Sequence, residues 1–519
     1  MALITAVRWT DADGVTQTLS DFVSANVSKS DELRNNSMEI VLRNDSNLSR
    51  SYVKDGLIKF NTEQPIDLFV RYDDDGSGLN DFDIDYLLLS GRVVEFKVAT
   101  EEKRTPLTLK CADSSYIALN RIWLGVENDT PPNLMVKIAR FINQNIADPK
   151  KQIVAITEKS VTNIATDGTC TCTAHGIQEG FPVVLYDSTS TPSADGRWVA
   201  SSVTANTFRL KNPKTSAYAV FTSTGTATLG GIQAVDSSGA AYSSVEISKV
   251  AKPAYEIYQE LSQSEFTGET SGVPNRFHVD KNNSLRWFYP DDTVRHVIVE
   301  GAETAQSATY FHPVLATSQT FSDSRIHKVV KTDMTYAVYD VVNFIIYKAG
   351  QDLTNEQITF FAYQDGSGVP VSKDSFRAWE DIARELKRRE AAYPTTGTKN
   401  LTFSKNDEYT ISNTSGTTSW GVSYSSSTDY NNKFILEARR LATARAQAEF
   451  DKTGNPRWQG SIELKGEHSF DVNDTLVFTA ARNGIRNIFM RITGIKHNVN
   501  NGGWFTTIDV KEEVPRTLA

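Results

Sequence analysis

Three groupings in the sequence have residue types suited to chemistry. The densest is Asp73-Asp-Asp-Gly-Ser-Gly-Leu-Asn-Asp-Phe-Asp-Ile-Asp85, where Asp73, Asp75, Asp81 and Asp83 are candidate calcium ligands through hard carboxylate oxygens. The spacing departs from an EF-hand loop, because position twelve counted from Asp73 is Ile84 and not glutamate. A solvated hairpin tip is the reading this favours. Cys170-Thr-Cys172-Thr-Ala-His175 offers three potential zinc ligands. A structural zinc site takes four, usually with two to four residues between the cysteines, and no fourth lies nearby, so packed, inert thiols are expected. Of the histidines, His468 and His497 fall in strand-like segments with no nucleophile at motif spacing, and read as satisfied barrel residues. The pairs Glu101-Glu102 and Asp291-Asp292 are adjacent, hence on opposite sides or in turns, and carry no acid/base signal. Phosphate-loop, dinucleotide, nucleophile-elbow and His-Glu-x-x-His motifs are all missing. The sequence therefore assigns no catalytic residue, no cofactor and no metal, and the chain reads as a non-enzyme.

What must position these residues is a long, strand-rich chain. Its 519 residues predict roughly three to five domains, and 39% hydrophobic residues suffice for packed cores. A formal charge of −9 without a lysine–arginine block disfavours wrapping of nucleic acid, though a like-charged channel lets a polyanion slide. Three cysteines make no disulfide framework. The start Met-Ala-Leu-Ile-Thr-Ala-Val-Arg-Trp lacks a basic n-region, so no signal peptide is expected. No run approaches ~18 apolar residues, so no membrane segment is expected either. Folding in a reducing cytoplasm follows as the default.

Residues 1–115 read as an N-terminal β-barrel of short alternating strands: Ile4–Trp9, Val15–Leu19, Val23–Ser28, Ser37–Leu42, Pro65–Tyr72, Leu87–Phe96 and Leu107–Ala112. Residues 116–156 and 232–315 form a middle α+β domain. Its helices are expected at Pro131–Ile146, with Leu134, Ile138, Phe141, Ile142 and Ile146 inward, and from Pro253 to about Phe266. Its strand–turn–strand spans Arg276–Val279 and Leu285–Tyr289, and a further strand is expected at Val294–Glu300. Residues 157–231 are rich in Thr, Ser and Ala with no helical period, as for an inserted small β-domain. Residues 316–393 hold strands at Ile326–Lys331 and Val341–Tyr347 and a helix at Phe376–Glu390. Residues 394–431 read as a polar surface excursion.

Residues 432–519 carry the strongest pattern. Ile435, Ala438, Leu441, Ala442 and Ala446 set an apolar stripe on an Asn432–Phe450 helix, stopped by Gly454 and Pro456. Trp458, Gly460, Ile462 and Leu464 then share one face of a half-buried strand, and Asn500-Asn-Gly-Gly503 turns into Trp504–Val510. Trp458, Ile462, Leu464, Trp504 and Ile508 are the expected core of a C-terminal barrel.

The order Ala-rich helix, Gly454-Asn-Pro-Arg-Trp-Gln-Gly460, strand, Asp471-Val-Asn-Asp-Thr-Leu476, then a hairpin ending Gly502-Gly-Trp-Phe-Thr-Thr507 resembles the C-terminal part of tailed-phage baseplate hub proteins of the late control protein D type. Arg276-Phe-His-Val-Asp-Lys-Asn-Asn-Ser-Leu-Arg-Trp-Phe-Tyr-Pro290 resembles the middle region of that family. The resemblance implies a mainly β fold with a few helices, in which two tube-like antiparallel barrels flank smaller domains. It implies a homotrimer whose six barrels match a sixfold tail tube and pass symmetry to a trimeric spike or tip. The partners would be the tail tube protein, the spike and other baseplate proteins, around a channel for DNA without sequence-specific binding. The location would be the virion tail baseplate, assembled in the host cytoplasm. The insert at 157–231 and the excursion at 394–431 depart from the pattern. A tail-tip cell-wall hydrolase or carbohydrate-binding adhesin is the competing expectation.

Overall fold

Alternation of period two runs through both ends of the chain, and in the computed structural model both ends become strands of one sheet. The structure describes residues 2–337 and 457–513 except 11–15, 20–21, 31–35, 44–52, 55–56, 59–63, 74–86, 100–105, 114–119, 124–126, 145–151, 213–215, 235–244, 248–250, 263–274, 289–293, 305, 313–316, 324 and 501. Between 338 and 456 it describes the backbone of 342–351, 357–364, 370–374, 397–403, 416–417 and 423–424. The expected helices at 376–390 and 432–450 lie outside the described residues, as do Asp75, Asp81, Asp83 and most of the excursion at 394–431. The fold is mostly β, with two α-helices among the described residues.

The main sheet has 13 strands. From one edge it runs Thr16–Leu19, Ala2–Thr10, Pro65–Asp73, Leu87–Val98, Pro106–Asp113, Ser37–Arg43 and Phe22–Ser30. It continues through Ile485–Asn500, Gly503–Glu512 and Arg457–Lys465 to Val329–Ala337. Thr475–Ala480 branches from Ile485–Asn500 and takes His296–Val299 as a parallel neighbour. The two strand sets expected from the sequence thus meet edge to edge, Phe22–Ser30 antiparallel to Ile485–Asn500 with Ser24 opposite Asn500 and Ser30 opposite Gly494.

A twisted sheet of this size must curl, and the packing shows that it does so around two cores. One holds Val27, Ile40, Leu68, Leu89, Leu109, Val499 and Trp504; the other holds Ile462, Leu464, Phe478, Ile492, Ile495 and Ile508. Fully burying one such side chain contributes roughly 1.5–3 kcal/mol. The 16-residue strand Ile485–Asn500 serves both. At ~3.3 Å per residue it is roughly 50 Å long, and it bends at a bulge between Ile492 and Gly494.

The segment near 157–231 forms a closed barrel of Lys159–Ile164, Thr169–Thr171, Thr207–Lys211, Gly196–Ser201, Pro182–Tyr186 and Gly225–Leu229 around its own core. Its ends meet, the Glu158 N–H donating to Ile232 O at 2.8 Å and the Ile232 N–H to Ile156 O at 3.1 Å. Excursion and return therefore disturb the parent chain little. The parent unit packs the helices Pro131–Asn143 and Ala254–Ser262 with the hairpin Arg276–Val279 and Leu285–Phe288, around Trp287 and Tyr258. Phe141 departs from its expected place: it lies 38% exposed, edge-on to Trp123, and Met135 and Ala139 fill the apolar face.

A separate four-stranded sheet places Val342–Gln351 between antiparallel Gln357–Gln364 and parallel Gly397–Phe403, with Pro370–Asp374 at its edge. Gln306–His312 and Thr317–Asp323 form a hairpin.

Candidate functional site

Where the inserted barrel, the Arg276–Phe288 hairpin and the loop His468–Thr475 approach one another, they leave a polar cleft of about 870 Å³. Tyr186 and Asp195 line it from the barrel, Asp280 and Arg286 from the hairpin, Asp474 from the loop and His296 from the sheet. Its charged groups are tied to one another. Asp280 accepts from the Tyr186 hydroxyl at 2.9 Å and from the backbone N–H groups of Asn282 and Ser284 at 2.8 and 3.0 Å. Arg286 lies over the Tyr186 ring, 4.0 Å from its centroid. Burial pushes the Asp195 carboxyl above the usual range, although its Oδ1 accepts from the Ser188 N–H.

The middle unit is fastened to the sheet by ions. Glu513 receives Arg276 Nη2 and Arg491 Nε, each at 2.7 Å. Burial alone raises the Glu513 carboxyl, but the two guanidinium groups bring it down to about 2. Beneath the seam, Lys29 is only 6% exposed. Desolvation lowers its ammonium, opposed chiefly by Asp471.

The densest convergence lies in the cleft wall. His296 opens the strand His296–Val299, Asp323 closes Thr317–Asp323, and His327 precedes Val329–Ala337; all three are buried. His327 Nε2 lies 3.0 Å and His296 Nδ1 3.9 Å from Asp323 Oδ2. The far nitrogens face carboxylates: His296 Nε2 lies 3.2 Å from Asp474 Oδ2, and His327 Nδ1 lies 3.3 Å from Glu467 Oε2, outside hydrogen-bond angles. Asp323 Oδ1 accepts from the Arg325 backbone N–H and Nε at 2.9 and 3.1 Å. Burial raises Asp323 and Glu467, and their donors overcome it, holding both near about 2. No local motif marks this group, because its members come from three elements. The strand expected at Ile326–Lys331 hides it further: it begins only at Val329, and the irregular segment before it puts His327 inside.

The residues singled out from sequence lie elsewhere. Asp73 ends the strand Pro65–Asp73, and its three companions are outside the described residues. Cys170 and Cys172 face the inserted barrel's core, where burial pushes the Cys170 thiol up to about 12 and also raises Cys172. His175 accepts from the Ile177 N–H at Nδ1 and contacts Thr207 O through Nε2. His497 Nδ1 lies 3.0 Å from Thr506 Oγ1, and His468 stacks on Trp504. Burial drives the His497 imidazole well below its ordinary range, the Lys29 charge adding to it. Ile462, Leu464 and Ile508 share the C-terminal core, whereas Trp458 lies half-buried at its rim and Trp504 lies in the other core. Gly460, at φ +157°, explains the rim position: a Cβ there would meet Asp333 O at 2.0 Å, and regular inward alternation resumes only at Ile462.

No family model matches the sequence, and comparison with curated proteins gives no match. Solved structures do resemble it along nearly its whole length. The 43 kDa tail protein of prophage MuSo2 from Shewanella oneidensis is 9% identical, with TM-score 0.45 over 98% of each chain. The tail protein from Neisseria meningitidis is 8% identical, with TM-score 0.46 over 99% of this chain and 97% of that one. Prophage tail protein gp18 from Listeria monocytogenes is 9% identical, with TM-score 0.39 over 98% and 94%. All three are tail proteins.

Proposed function

We propose that this chain is a structural tail protein, a baseplate hub that forms a homotrimer, joins the sixfold tail tube to a trimeric spike or tip, and surrounds a channel for DNA. The observation that carries this reading is the seam between Phe22–Ser30 and Ile485–Asn500, which makes one sheet with two cores from the two ends of the chain. Two tube-like units per chain is what the hub resemblance implies. The sheet's outer strand Val329–Ala337 has no further neighbour among the described residues, and Val330 and Tyr336 on it are 52% and 51% exposed. An open edge bearing large apolar side chains suits pairing with another copy. Across the seam the exposed face is polar and of mixed charge, with Asn26, Glu39, Glu463, Lys496 and Asn498 around a shallow depression. Such a surface does not hold a polyanion strongly.

The carboxylates of the cleft are engaged with arginines, histidines and backbone N–H groups, which suits a structural joint better than a hydrolase. Two experiments on the purified chain test the reading. Sedimentation should give three chains per particle, and incubation with peptidoglycan should give no turnover. Turnover abolished by one Asp or Glu substitution would replace the hub with a wall hydrolase.

A further inference from the structure

We propose that His296, Asp323 and His327 form a binding site for one divalent transition metal ion of the zinc type. Two imidazole nitrogens and a carboxylate oxygen lie within 4.8 Å of one another, all on buried residues. The separations of 3.0 and 3.9 Å from Asp323 Oδ2 bracket the spacing of donors around an ion bound at ~2.0–2.1 Å. His296 Nδ1 has no hydrogen-bond partner among the described residues and is turned toward Asp323. A buried imidazole nitrogen without a partner is costly, and a metal ion satisfies it.

The surroundings have the second layer that ligating histidines require. Asp474 stands at the far nitrogen of His296 and Glu467 at that of His327. The tautomer with the His296 proton on Nε2 beside Asp474 leaves Nδ1 as a lone pair, and the tautomer with the His327 proton on Nδ1 leaves Nε2 as another; both nitrogens face Asp323 Oδ2. Asp323 keeps Oδ1 occupied with Arg325, while Oδ2 has, besides His327 Nε2 at 3.0 Å, only contacts of 3.4 Å from the Val297 N–H and Arg325 Nη2. Phe470 covers both rings, its centroid 4.5 Å from His296 and 5.0 Å from His327. His296 and Arg325 also border the cleft, so water completes the coordination from that side.

Charge permits the ion. Asp323, Glu467 and Asp474 outnumber Arg325 and Arg295, which contact Asp323 and Asp474. Two imidazole ligands exclude calcium and magnesium, which prefer oxygen. The ion would tie His296–Val299, the hairpin Gln306–His312 and Thr317–Asp323, and the segment leading into Val329–Ala337 into one joint.

The test uses the full chain, stripped with a chelator and titrated with zinc chloride by calorimetry, with metal content measured after gel filtration. One ion per wild-type chain is expected, lost in His327→Ala and Asp323→Asn, and bound roughly 10–100-fold more weakly by Asp474→Asn. X-ray absorption at the zinc edge of the wild-type complex should show two imidazole ligands, a readout independent of whether the variants fold. Substoichiometric uptake by the wild type, equal uptake by the variants, or an all-oxygen shell would each overturn the site.

Discussion

Tyr72 and Trp504 stand 432 positions apart in the sequence, and their rings stack with centroids 5.9 Å apart and planes 26° from parallel. The Tyr72 hydroxyl donates to the Trp504 carbonyl oxygen at 3.3 Å. A residue of the last hairpin thereby completes the core of the first strand set. Trp504→Ala should cost about 3–5 kcal/mol in a denaturant melt, as for a buried tryptophan. A double-mutant cycle with Tyr72→Ala should give a coupling of about 0.5–1.5 kcal/mol. Additive losses would mean that the two halves of the sheet are not energetically joined here.

Trp458 differs from Trp504 although both belong to alternating apolar runs. Half-buried and 5.3 Å from Tyr336, it should cost only about 1–2 kcal/mol on truncation to alanine. Denaturant midpoints of the two variants, measured side by side, should preserve that order.

Stability should depend on acid through Glu513. Its carboxyl is held below the ordinary value of 4.5, near about 2, so its contribution is complete above about pH 4.5 and disappears as pH falls through about 2. Glu513→Gln should lose on the order of 3 kcal/mol near neutrality. The gap between variant and wild type should close as melts are repeated from pH 5 down to pH 2. A constant gap would put the effect on packing and not on charge.

The open edge gives a prediction separable from folding. Val330→Lys adds charge at an exposed position, so the unfolding free energy of the isolated chain should change by less than about 0.5 kcal/mol. Sedimentation should show assembly weakened. Unchanged assembly would place the contact between copies elsewhere.

Much of the architecture was legible because period-two patterning is a local signal. Gly503–Glu512 alternates along its length, and Trp504, Thr506, Ile508 and Val510 all turn inward as their spacing predicts. The pairing of Phe22–Ser30 with Ile485–Asn500 was not legible, because nothing local in either strand names a partner so distant in the chain. The same reason hid His296, Asp323 and His327, which share a site only through tertiary folding. Trp504 shows the limit within one hairpin: its inward face is set by alternation, but the core it enters is set by the bend of its partner strand near Gly494.

The central claim is a threefold ring of curled sheets on the tail axis. Cryo-electron microscopy of the particle into which this 57.6 kDa chain assembles tests it most directly. The account predicts three copies around the axis where tube meets spike, each presenting its seam to an open bore. A single copy, or copies set away from the axis, would contradict it.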